Sequence, residues 1–254
     1  MTRMYEFGLD DAAAHAHLTR ALSTIDHITN PDNRSWLTTA PAPGSEVDRL
    51  EQAVLQDPVD LSHSLGFAAT AALDSLQEIA IIVRGNASIL TPLRGMMRTA
   101  LMGAGRVGYV ILPDSPEERE AHAGMVVSHE AVSLGRALAS FGSFTELPGL
   151  APTPDELAML LEQIQAHPRG KKEGEAAMIQ ASAELVARAI AEQDPAQPAG
   201  VLAEQLAYIW NTASGAAHGF YWQHDFEHGS FVADLGAVVS AVYYSLDALR
   251  ARWE

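Results

Sequence analysis

The sequence predicts an all-α protein, and three observations predict it. Apolar residues recur at steps of three and four through much of the chain, two helix starts carry N-capping signatures, and no convincing strand alternation occurs. Of the 254 residues, 48% are apolar, enough to build a core, and no internal repeat or long low-complexity linker divides the chain. The expectation is a single all-helical domain over residues 1–254, a multi-helix bundle of about eight or nine helices.

Taken in order, helices are expected at about 8–12, 40–55, 60–84, 88–112, 116–141, 154–166, 174–193, 200–217 and 231–252. The stretch "NPDNRSWLTTAPAPGS" (30–45) reads as an extended crossing or a flexible loop. In 60–84, Leu61, Leu65, Ala69, Leu73, Leu76, Ile79 and Ile82 form one apolar stripe, which makes this a long amphipathic helix. Segment 88–112 follows the same spacing, although its glycines lower its intrinsic helix stability.

The next two helices have marked beginnings. "SPEE" (Ser115 to Glu118) and "TPDE" (Thr153 to Glu156) each place a hydroxyl at the N-cap and proline at the first helical position. Each also places an acid three residues after the cap, whose side chain can return to the cap amide. Gly and Pro mark stops at 142–152, 167–174, 194–200 and 218–219. "YVILP" (109–113) is the one stretch left ambiguous between helix and strand.

Sixteen Lys and Arg stand against 32 Asp and Glu, a formal charge of −16 that repels a phosphate backbone over most of the surface. A long nucleic acid is therefore not the expected partner. Without cysteine there is no disulfide, thiolate metal site or cysteine nucleophile. No uninterrupted apolar run approaches about 18 residues, and "MTRMYEFGLDDAAAHAH" lacks the apolar core and cleavage site of a signal peptide. The expectation is a soluble cytoplasmic protein with no membrane partner.

"GAGRVG" (103–108) fits a dinucleotide-binding glycine pattern but lies within helical sequence rather than between a strand and a helix, so its glycines read as a close-packing surface. On the same helix Arg94 and Arg98 share a face, with Arg106 rotated away. They form either a solvated face with local ion pairs or an anion-binding face. His224 and His228 have a spacing that binds zinc on a helix, but the bracketing glycines argue for a loop, so no metal or other cofactor is expected. His218 ends an apolar helix, where a cation favours the helix dipole, and Ser214 one turn earlier shares its face.

Two segments carry a resemblance. "LRGMMRTALMGAGRVGYVILPDSPEER" (93–119) and "YIWNTASGAAHG" (208–219) resemble a group of actinobacterial helical proteins and, more distantly, the HEPN superfamily of helical ribonucleases and nucleotide-binding domains. The resemblance implies a HEPN-like core, commonly a homodimer, in which an arginine and a histidine four to six spacer residues apart act on an RNA phosphate. Histidine would serve as acid or base and arginine would stabilise the charged transition state. The histidine position is His218, but the arginine position is Asn211, an amide that can orient a phosphate without neutralising it. The resembled group often carries glutamate where this chain has Met102, so two charged positions are uncharged here.

The leading expectation is thus a degenerate ribonuclease-type site in a HEPN-like homodimer, binding a nucleotide, an RNA end or another small anion, in a defence or toxin–antitoxin setting. His218, Asn211 and Ser214 would stand at its centre, with Arg94, Arg98, Arg119, Tyr221, Trp222 and His224 as ligand contacts. The alternatives are a small-molecule enzyme using His218 as acid or base in a helical pocket, and a non-catalytic interaction module presenting the aromatic segment.

Overall fold

The computed structural model describes residues 11–54, 58–85, 90–144, 146, 152–166, 174–193, 197–220 and 231–254. Tyr221, Trp222, His224 and His228 lie outside the described residues, as do residues 8–10 of the first expected helix. The described residues form an all-helical bundle of ten α-helices and one short 3-10 helix. The helices are α1 (Asp11–Thr29), α2 (Pro31–Arg34), α3 (Glu46–Val54), α4 (Leu61–Arg84), α5 (Leu90–Ile111), α6 (Pro116–Phe141), α7 (Pro154–Ala166), α8 (Glu175–Gln193), α9 (Ala199–Ala217) and α10 (Phe231–Trp253).

Two departures from the expected helices have physical causes. Helix α1 continues to Thr29 because Ala14, Ala21 and Ile25 are buried at helical spacing, and alanine makes such a stripe inconspicuous in sequence. The added helix is α2, inside the expected crossing. The Asn30 side chain accepts from the Asp32 amide, and Pro31 fills the first helical position where a missing N–H costs nothing. A 3-10 helix at Ser35–Thr38 follows. The rest of the crossing is held against the end of α10: Trp253 Nε1 donates to Thr39 O at 3.1 Å, and the Ala42 amide donates to Trp253 O at 2.8 Å.

Helix α5 is the hub, in contact with α4, α6, α8, α9 and α10. Its final turns are buried nearly all round, and "YVI" of the ambiguous stretch belongs to its last turn. The glycines of "GAGRVG" face three neighbours. A Cβ at Gly103 would strike the Ala68 carbonyl of α4, one at Gly105 would strike the tip of Ile179 on α8, and one at Gly108 would lie 2.6 Å from Ser182 Oγ and 3.0 Å from Ser245 Oγ. The motif is a packing surface: its missing side chains set how near α4, α8 and α10 approach.

Both marked starts cap their helices, in different ways. Thr153 Oγ1 accepts from the Glu156 amide at 3.3 Å while the Glu156 carboxylate accepts from the Thr153 amide at 2.8 Å, a reciprocal box. At α6, Ser115 Oγ accepts from the Glu118 amide at 3.3 Å but donates its own hydrogen to Glu117 Oε2 at 2.7 Å. Glu118 turns instead along the helix toward His122, 4.0 Å away. The hydroxyl bonds from Ser115 and Thr153 hold Glu117 and Glu156 below the usual glutamate range, because each stabilises the ionised form.

Helices α4 and α10 are long and apolar enough to cross a membrane by length and composition. In the bundle, both contribute apolar residues to the core shared with α5, including Leu65, Leu73 and Leu76 from α4 and Leu235, Val238 and Val242 from α10.

Candidate functional site

The two segments that carry the resemblance pack together, and a side-chain hydrogen bond joins them. Arg98 on α5 donates through Nε to Ser214 Oγ on α9 at 3.1 Å. Its guanidinium carbon also stands 4.7 Å from the ring centroid of Trp210, one turn earlier on α9. Ser214 and Trp210 are four residues apart and so present one face to the arginine. A guanidinium is flat and weakly hydrated, so an indole face and a hydroxyl hold it in a fixed plane.

Carboxylates complete the surroundings. Glu175, the first residue of α8, places one oxygen 3.9 Å from Arg98 Nη2 and the other 4.0 Å from Arg106 Nη2. Arg106 is also held through Nη1 by Glu130 of α6. A line of alternating charge therefore runs Glu130, Arg106, Glu175, Arg98 across α6, α5 and α8 and ends at Ser214. The Arg98 side chain keeps 23% of its exposure and Glu175 36%, so the Arg98 end is open to water. The Glu175 contacts exceed hydrogen-bond length and leave room for a competing anion to bind more closely.

His218 caps α9 one turn beyond Ser214. Its amide donates to Ser214 O at 3.1 Å, and Gly219 then turns the chain at φ 68°. With Gly219 N–H to Ala216 O at 3.0 Å and Phe220 N–H to Gly215 O at 2.9 Å, this end is a Schellman motif. The turn needs the left-handed conformation that glycine adopts without a Cβ penalty. The imidazole is exposed and leans on the Phe220 ring, with centroids 5.7 Å apart. Among the described residues it makes no hydrogen bond or ion pair with an arginine.

The remaining expected site residues are dispersed. Asn211 is exposed, and its Nδ2 donates to Ala207 O of its own helix at 2.9 Å. Met102 is partly buried against the core. Arg94, on the same expected face as Arg98, is 3% exposed and pairs with Asp234 of α10 at 3.1 Å. Arg119 joins the start of α6 to α3 through Glu46 at 2.5 Å, and to the carbonyls of Pro113 and Asp114 at 2.5 and 3.0 Å. Arg252 of α10 grips the other oxygen of Glu46 at 2.9 Å. Arg119 is thus committed to the α3–α6–α10 junction, and among the described residues none of its hydrogen bonds goes to α9.

Sequence reasoning missed Trp210, Glu175 and Glu130. Trp210 had a signal, its four-residue spacing from Ser214; the two acids are matched to the arginines only by the folded arrangement. Among the described residues no group of three His, Asp or Glu side chains is placed to hold a metal. Compared with protein-family models, curated proteins and solved structures, the chain finds no match.

Proposed function

We propose that this chain is a HEPN-like helical protein whose α5–α9 face binds a small anionic group, a nucleotide phosphate or an RNA end, without cleaving it. The observation that carries this reading is the bond from Arg98 to Ser214. It joins an arginine of the first resembling segment to the serine of the second, one turn from His218.

The ligand's anionic oxygens would take the place of Glu175 beside Arg98, accept from the Ser214 hydroxyl, and meet the His218 imidazole. Charge-assisted bonds of this kind are shorter and stronger than the 3.9 Å contact they replace. The reading is binding rather than catalysis because position 211 offers an amide engaged with its own helix. Transition-state charge in phosphoryl chemistry requires a cation placed to neutralise it. In the same reading the protein is soluble and cytoplasmic and works as a homodimer in a defence or toxin–antitoxin setting. The −16 charge restricts it to short or small ligands.

The test is single-stranded RNA incubated with wild type and with His218→Ala, beside sedimentation analysis of the wild type. Neither protein is expected to cut RNA. Cleavage by the wild type that vanishes in His218→Ala would replace the binding reading with a catalytic one, and a monomer at all concentrations would remove the dimer.

A further inference from the structure

A cleft lies away from Arg98 and His218, between α1, α2, the 3-10 helix, α4 and α10, and spans about 480 Å³ including its open mouth. Leu73 and Leu246, both buried, line it together with the aromatic side chains of Trp36 and Tyr243. Arg34 and Arg250 also line it, with Asp247 the one carboxylate among the lining residues.

Two features favour a ligand here over a bare surface groove. The first is chemistry: in a chain of −16, this cleft is lined by two guanidinium groups whose N–H donors suit an oxyanion. Each guanidinium has an exposed acid partner at 2.9 Å, Asp74 for Arg34 and Glu254 for Arg250. Exposed pairs of this kind contribute little and yield readily to a better-placed anion.

The second feature is rigidity. The Trp36 ring packs edge-on against Trp253 at 5.6 Å, and Asn33 Nδ2 donates to His27 O at 2.8 Å, tying α2 to the end of α1. The walls are therefore set before a ligand arrives, and preorganisation lowers the ordering cost of binding.

We infer that this cleft binds a small planar ring compound bearing one carboxylate or phosphate. The ring would pack between Trp36 and Tyr243, the oxyanion would be held by Arg34 and Arg250, and a ring N–H or hydroxyl would donate to Asp247. Aromatic side chains bind planar apolar groups at little cost in their own entropy, and arginine suits either oxyanion through paired N–H donors.

The experiment is a nuclear magnetic resonance titration of the whole chain, following the Trp36 indole N–H. The probes are indole-3-acetate for the carboxylate, adenosine monophosphate for the phosphate, and adenosine for the ring without charge. At least one anionic probe is expected to saturate the shift, and adenosine to bind at least about tenfold more weakly. Arg34→Gln and Arg250→Gln, each with an otherwise folded spectrum, are expected to weaken that probe about fivefold or more, while His218→Ala leaves it unchanged. Which anion saturates identifies the ligand's acid. The inference is overturned if neither anion saturates by about 10 mM, if adenosine binds equally well, if both arginine variants bind like wild type, or if His218→Ala abolishes binding.

Discussion

Arg98 Nε donates to Ser214 Oγ at 3.1 Å, and this bond fixes the orientation of an arginine that is both joined to α9 and partly open to solvent. Ser214→Ala removes the acceptor from a partly buried cation and is expected to cost about 1–2 kcal/mol. Arg98→Lys should cost a similar amount although the charge is kept, because a lysine has neither the fork for Ser214 nor the flat face for Trp210. Urea unfolding of the two variants measures this. A lysine variant as stable as wild type would mean that the planar contacts contribute nothing.

Glycines on the helices divide by what lies beyond them. At Gly103 an added methyl meets the Ala68 backbone, which cannot turn aside, so Gly103→Ala is expected to destabilise by about 3 kcal/mol. At Gly105 it meets the flexible end of Ile179, and about 1 kcal/mol is expected. Gly236 on α10 has open space there, so Gly236→Ala should stabilise by about 0.5–1 kcal/mol through helix propensity. Thermal or urea midpoints of the three variants should fall in that order.

The Arg94–Asp234 pair, with both side chains 4% exposed, links α5 to the first turn of α10. Asp234→Ala removes a carboxylate partner from a buried guanidinium and is expected to cost about 3–5 kcal/mol. Replacing both residues by apolar ones of similar volume should recover most of the loss. Chemical denaturation of the single and double variants tests it, and a double variant no better than the single would contradict the assignment.

Carboxylate titration supplies a pH test. The bonds from Thr153 hold Glu156 below its ordinary range, so its contribution is fully present above the unfolded glutamate pKa and is lost as pH falls through the lower folded value. Thr153→Ala is expected to move the Glu156 titration upward, and its destabilisation relative to wild type should shrink in acid. Carbon-detected titration of the Glu156 carboxyl reads the shift directly.

Local signals made the starts of α6 and α7 legible, because capping depends on a few adjacent residues. The same was true of α4, whose large leucines outline its buried face. Helix α1 was less visible because two of its core positions are Ala14 and Ala21. The fates of Arg94 and Arg98 were not legible at all: helical spacing puts them on one face, yet partners 140 and 116 residues away bury one and leave the other partly open. Ser214 and His218 could be read as neighbours on α9, whereas Glu175 could be matched to Arg98 and Arg106 only in the folded arrangement.

The central claim is that the Arg98, Ser214 and His218 face holds a phosphate. It is tested most directly by calorimetric titration with a short RNA bearing a 3′-phosphate. Saturable binding is expected for the wild type, weakened about tenfold in Arg98→Gln and again in His218→Ala, and unchanged in Arg250→Gln. Absence of binding, or equal affinity in wild type, Arg98→Gln and His218→Ala, would contradict it.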